Sequence, residues 1–168
     1  MRVLAIDTAL GACSAAVLDT ERGGFTDESV PMERGHAEAL MPLVARVMAK
    51  AKMKFADLDR VAVTTGPGSF TGLRVGISAA RGISLAAKKP AIGLTTLTAY
   101  AAPYINQDDT IPVTVAIDAR HDHVYLQIFG PGGRTLIAPR IASLREAAKR
   151  SEERRVGKEG RSRWSPYH

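Results

Sequence analysis

Two places in the sequence combine residue type and spacing in a way that suggests chemistry: Asp7-Thr8, which closes an apolar run from Val3, and Gly66-Pro67-Gly68-Ser69, which closes Val61-Ala62-Val63. A Gly-Pro-Gly turn opening a helix resembles a phosphate-facing turn, because the free N–H groups of a helix N-terminus attract anions. His121, Asp122 and His123 are metal-ligand types. They straddle a hairpin turn and a strand start, however, where alternation sends neighbours to opposite sides. His36 is the lone histidine of the first half, with Leu40 one turn later where a second ligand would sit, so a capping or surface role is the plainer reading. Cys13, among Gly11, Ala12, Ser14 and Ala15, reads as a structural thiol. No Ser/His/Asp order or metal motif of a peptidase is present.

These residues need elements to position them. Val61 to Ala87 reads as buried strand, tight turn and helix, with Ser69 as N-cap. From Phe70 to Ala87 the only charged residues are Arg74 and Arg81, so the helix is expected to bury two faces. Leu73, Ile77, Ala80, Ser84 and Ala87 form one. Gly72, Gly76, Ala79, Ile83 and Ala86 form the other, built mostly of small residues. Gly72, Gly76 and Gly82 each cost roughly 1 kcal/mol against alanine. Close packing on the sheet offsets that cost, or a partner helix does so in addition. A second helix is marked by Leu40, Leu43, Val44, Val47, Met48 and Ala51; Pro42 kinks it or marks its effective first turn, and the thinner stripe Ala37, Met41, Ala45 suggests a further packing surface.

Upstream, residues 2–8, 14–19 and 25–30 read as an antiparallel meander. Downstream, 91–94 reads as a strand and 95–104 as a helix. Leu4-Ala5-Ile6-Asp7-Thr8-Ala9 is echoed by Val115-Ala116-Ile117-Asp118-Ala119-Arg120, each followed by a second strand, which reads as an internal duplication. In the second copy a strand at 134–137 and a helix from Ile141 to Arg150 are expected. This α/β chain therefore divides into a first lobe at 1–104, the start of a second at 105–150, apparently truncated, and a flexible or non-native tail at 151–168.

The chain has 168 residues and a net charge of +6, of which residues 1–150 carry +4. That mild basic balance permits contact with RNA or an acidic partner without arguing for base reading. One cysteine excludes an internal disulfide and suits a reducing compartment. No apolar run approaches the length of a membrane span, and Met1 to Asp7 is too short and reaches an acid too soon for a signal peptide. A cytoplasmic protein is expected.

Two βββαβα-type lobes, each opening on a strand that ends in Asp, are the plan of the actin-like ATPase (ASKHA, ribonuclease H-like) fold. Five blocks in one order, LAIDTALGACSAAVLD, RGHAEALMPLV, VAVTTGPGSFTGLRVGISAARGISLA, PAIGLTTLTAYA and VAIDARHDHVYLQIF, closely resemble the TsaB (YeaZ) family over roughly residues 1–150. The resemblance implies a non-catalytic dimerization subunit of the bacterial machinery that places threonylcarbamoyl on adenosine 37 of tRNAs reading ANN codons. The implied partners are a catalytic TsaD-type paralogue and a TsaE-type ATPase, with a homodimer forming when the chain is alone and tRNA reached only through the complex. TsaD holds its metal through a His-x-x-x-His pair. Here Thr96 and Tyr100 stand at those positions, so no metal site is expected. Asp7 and Thr8 stand where the fold places its first phosphate and Mg²⁺ contacts, and Gly66 and Gly68 belong to the phosphate-like turn. They are candidate remnants of a nucleotide site, for weak or partner-shared ATP or ADP, with purely structural roles the plainer reading. The implied partner surface is Ala37, Met41 and Ala45 with Gly72, Gly76, Ala79 and Ile83. An actin-fold ATPase or kinase and an older glycoprotease label are the alternatives.

Overall fold

β1 (Arg2–Asp7) is the strand on which the larger unit is built. The structure, a computed structural model, describes residues 1–105, 107 and 110–153, the last three as backbone alone. It divides into a first unit, Met1–Pro103, and a second that starts at Tyr104. Leu4 and Ile6 of β1 point into the core while Ala5 is exposed, the alternation of a strand covered on one face. β1 pairs antiparallel with β2 (Ala12–Asp19), placing Leu4 opposite Val17 and Ile6 opposite Ala15. β2 pairs antiparallel with β3 (Gly24–Pro31). On its other side β1 runs parallel to β4 (Arg60–Thr64), and β4 parallel to β5 (Ala91–Leu94). The order β3-β2-β1-β4-β5 is that of an actin-like lobe.

α1 (His36–Lys50) and α2 (Phe70–Ala87) close over the buried face. The stripe Leu40, Leu43, Val44, Val47, Met48 is buried, as its spacing predicts, and the helix runs through Pro42 without ending there. Between α1 and β4 a single 3₁₀ turn, Phe55–Asp57, packs against α2. Edge strand β3 is tied to α1 through Glu28, whose carboxylate accepts from Arg46 Nε at 2.9 Å and Lys50 Nζ at 3.1 Å. α3 (Thr96–Ile105) begins one residue later than expected, because the Thr95 hydroxyl caps it, accepting the Thr98 N–H at 3.0 Å.

The second unit repeats the opening meander: β6 (Val113–Arg120), β7 (His123–Phe129) and β8 (Thr135–Ser143) form an antiparallel sheet in that order. The strand expected to stop at Ile137 continues through Pro139 to Ser143. As an edge strand, β8 tolerates the missing proline N–H. The helix expected from Ile141 starts instead at α4 (Leu144–Glu153), where Ser143 Oγ accepts the Glu146 N–H at 3.2 Å. The expected tail overlaps the end of this helix, and from residue 154 onward it lies outside the described residues. No described helix is long and apolar enough to cross a membrane.

Candidate functional site

The turn between β4 and α2 lies at the carboxyl end of the parallel strands, the edge at which such sheets carry ligands. Several of its polar groups are engaged internally. The Thr8 hydroxyl, buried, donates to the Gly72 carbonyl at 2.7 Å. Asp7 Oδ1 accepts from the Ala9 N–H at 2.9 Å and from the Thr64 hydroxyl at 2.7 Å. The Ser69 N–H donates to the Ala9 carbonyl at 2.7 Å, and Ser69 Oγ accepts the Gly72 N–H at 3.3 Å, the cap that the sequence predicts. The Gly66 carbonyl accepts the first N–H of α3, from Thr96, at 2.8 Å.

The glycines here allow close approach. A Cβ at Gly68 would run into the Ala9 carbonyl, one at Gly72 into the Thr8 carbonyl oxygen, and one at Gly76 into the Thr8 hydroxyl. Of the four candidate nucleotide contacts, Thr8 and Gly68 thus hold α2 against the β1–β2 turn, Gly66 supports α3, and Asp7 braces Thr64. These contacts give all four residues a structural part in a packing joint.

The same observation corrects the assignment of the faces of α2. Gly72, Gly76 and Ile83, expected on a partner surface, are buried on the side facing the sheet, Ile83 within the main core. Periodicity defines two faces without their sense, since small residues suit a helix partner and a tight sheet contact equally. Ala37, Met41 and Ala45 are exposed on α1, and Ala79 is half-buried. With Leu40, Thr71, Val75 and Ser78, the residues Ala37, Met41 and Ala79 line a groove of about 430 Å³ between the two helices. Phe70, which sequence reasoning missed, stands in it 74% exposed, with the Arg74 guanidinium 5.3 Å from its ring centre. The signal available was an aromatic residue directly after an N-cap, too early in the helix to reach the core.

The remaining chemical candidates disperse. His36 is buried rather than at the surface, its Nε2 without a hydrogen-bond partner among the described residues. His121 and His123 are exposed, and His123 Nδ1 lies 2.6 Å from the carbonyl oxygen of His121. Cys13 is fully buried; burial first and the nearby Asp7 charge second push its thiol pKa up, which makes it inert as a nucleophile at neutral pH. Thr96 and Tyr100 lie on α3, Thr96 buried and Tyr100 exposed.

The sequence pattern of the family described as TsaD, tRNA N6-adenosine threonylcarbamoyltransferase, matches residues 14–163. The chain is 38% identical over 125 residues to the tRNA threonylcarbamoyladenosine biosynthesis protein TsaB of Escherichia coli, covering 74% of this chain and 53% of that protein. It is 31% identical over 166 residues to a Sorangium cellulosum protein named tRNA N6-adenosine threonylcarbamoyltransferase, covering 87% of this chain and 46% of that one. Among solved structures it is similar to YeaZ from Pseudomonas aeruginosa, at TM-score 0.73 and 31% identity over 84% of this chain and 66% of that one. A second Pseudomonas aeruginosa structure, described by its similarity to peptidase YEAZ, gives TM-score 0.76 at 30% identity with the same coverage. The chain spans about half the length of the curated TsaB relatives. On a pattern match that takes in most of its residues and on relatives that carry the name, the chain belongs to the TsaB (YeaZ) family.

Proposed function

We propose that the chain acts as a non-catalytic subunit in forming N6-threonylcarbamoyladenosine at position 37 of tRNAs reading ANN codons, and that it works in the cytoplasm. The groove between α1 and α2 carries this reading. It exposes Met41 and Phe70 and is bordered by residues small enough for a partner helix to come close. A TsaD-type paralogue seats its own helix pair there, a TsaE-type ATPase joins the assembly, and in the paralogue's absence a second copy takes the same place. The names of the curated relatives support the pathway, and the internal engagement of Thr8, Gly68 and Asp7 supports a chain with no nucleotide chemistry of its own. The test is co-purification with the TsaD-type paralogue alongside an ATP turnover assay of the isolated chain. Capture of the paralogue with no turnover is the expected result; steady turnover without partners would revive the ATPase reading.

A further inference from the structure

We infer that the end of the first unit opposite the β4–α2 turn is a seat for the phosphate backbone of RNA. Between Arg46 and Lys89 nine basic residues meet only two acids, Asp57 and Asp59, whereas residues 1–45 hold seven acids and three basic residues. The fold collects much of this excess in one place. β4 and β5 run parallel to β1, so both helix-to-strand connections, residues 51–59 and 88–90, lie at the amino ends of the strands. The Val61 N–H donates to the Pro90 carbonyl at 3.0 Å, which brings Arg60 and Lys89 alongside each other, and the 3₁₀ turn between Lys54 and Leu58 packs against α2.

Lys52, Lys54, Arg60, Lys88 and Lys89 share this end, and none has an ion-pair partner among the described residues. The cations nearby are already matched: Lys50 to Glu28, and Arg2 to Asp19 and Glu21. The two local carboxylates are tied to the backbone, Asp57 accepting the Lys54 N–H at 2.9 Å and Asp59 the Arg2 N–H at 2.6 Å. Lysines at the end of a helix also favour its dipole, but that accounts for Lys52, Lys88 and Lys89 and not for Lys54 and Arg60. The one aromatic residue among them, Phe55, is packed against the core, and unpaired cations without an aromatic ring turned outward fit a phosphate backbone rather than bases. The groove is lined by the amino-terminal parts of α1 and α2, and this patch by the connections that leave their carboxyl ends, so one molecule can hold a protein partner and RNA together. The inference rests on the reading that the chain works on tRNA, and it replaces the expectation that tRNA is reached through other subunits alone.

The test is titration of the protein with labelled tRNA across a salt series. Five phosphate contacts give a log–log salt slope of about −4. The variant Lys52→Gln, Lys54→Gln, Lys88→Gln, Lys89→Gln is expected to bind at least about tenfold more weakly near 0.1 M salt, with a slope shallower by about one per cation removed. A control losing Arg34, Arg81, Arg134 and Arg145 keeps the wild-type slope. Should the fourfold variant fold poorly by circular dichroism, Lys52→Gln, Lys54→Gln on the connection alone is expected to show half the change. Equal losses in variant and control, or no tRNA binding by the wild type, overturn the inference; so does a wild type that ignores tRNA but binds poly-glutamate, which would make the patch a seat for an acidic protein. Co-purification of the TsaD-type paralogue is read on the same samples, and its failure alone counts against the proposed function while leaving the RNA contact standing.

Discussion

Thr8 sets how closely α2 can approach β1, since its carbonyl and hydroxyl meet α2 at Gly72 and Gly76. Gly72→Ala forces backbone against backbone, and a loss of about 1–3 kcal/mol of stability is expected in urea unfolding, against a gain of up to about 1 kcal/mol for Gly82→Ala, where a Cβ meets nothing within 4 Å and the helix sheds a glycine. In the groove the expectation reverses. Phe70→Ala removes an exposed ring and is predicted to leave the melting temperature nearly unchanged while weakening paralogue binding by roughly tenfold or more. Ala79→Glu buries an unpaired carboxylate at the same contact and costs several kcal/mol of association. Circular dichroism beside co-purification separates the two quantities; unchanged capture by a folded Ala79→Glu protein would place the interface elsewhere. Asp7→Ala is predicted to leave the protein folded. It leaves the Thr64 hydroxyl and Ala9 N–H short of an acceptor, at about 1–2 kcal/mol, and an Asp7-dependent ATPase in the isolated chain would contradict a purely structural role for this carboxylate.

Among the elements, β3 pairs along its length with β2 and is joined to α1 by an ionic tie. The Arg46 guanidinium, and after it the Lys50 ammonium, hold the Glu28 carboxyl at a pKa of about 2 against an ordinary 4.5. Because the folded value lies below the unfolded one, the stabilisation is complete above about pH 4.5 and drains away as pH falls toward 2. Melting temperatures of wild type and Glu28→Gln are therefore expected to differ by a constant amount above pH 5 and to converge on acidification toward pH 2; a gap undiminished at pH 2 would mean that the tie is not ionic. Periodicity made several elements legible in advance. The spacing of Leu40, Val44 and Val47 anticipated both α1 and its buried side, and Val61 to Val63 marked β4. What stayed hidden needed knowledge of neighbours. Gly76 carries no side chain to declare which way it faces until Thr8 is set against it, and Pro139 reads as a strand end until β8 proves to be an edge. Thr8 and Gly68 had the composition of a phosphate site, and only their hydrogen bonds and close contacts reveal a joint.

At the scale of the molecule the two units are unequal. The main core, from Leu4 to Ile83, lies wholly within the first, so residues 1–103 expressed alone are predicted to melt cooperatively with their α/β circular dichroism intact. A broad, non-cooperative transition would show that the first unit needs the rest of the chain. Its sheet order has a further consequence, for synthesis. β2 joins β1, β3 joins β2, β4 joins the free side of β1, and β5 joins β4. Each strand after β1 therefore finds its partner already made when it leaves the ribosome. Such a sheet can be laid down in the order of translation, so ribosome-arrested chains that expose everything up to Leu94 should already resist protease, ahead of any second-lobe strand.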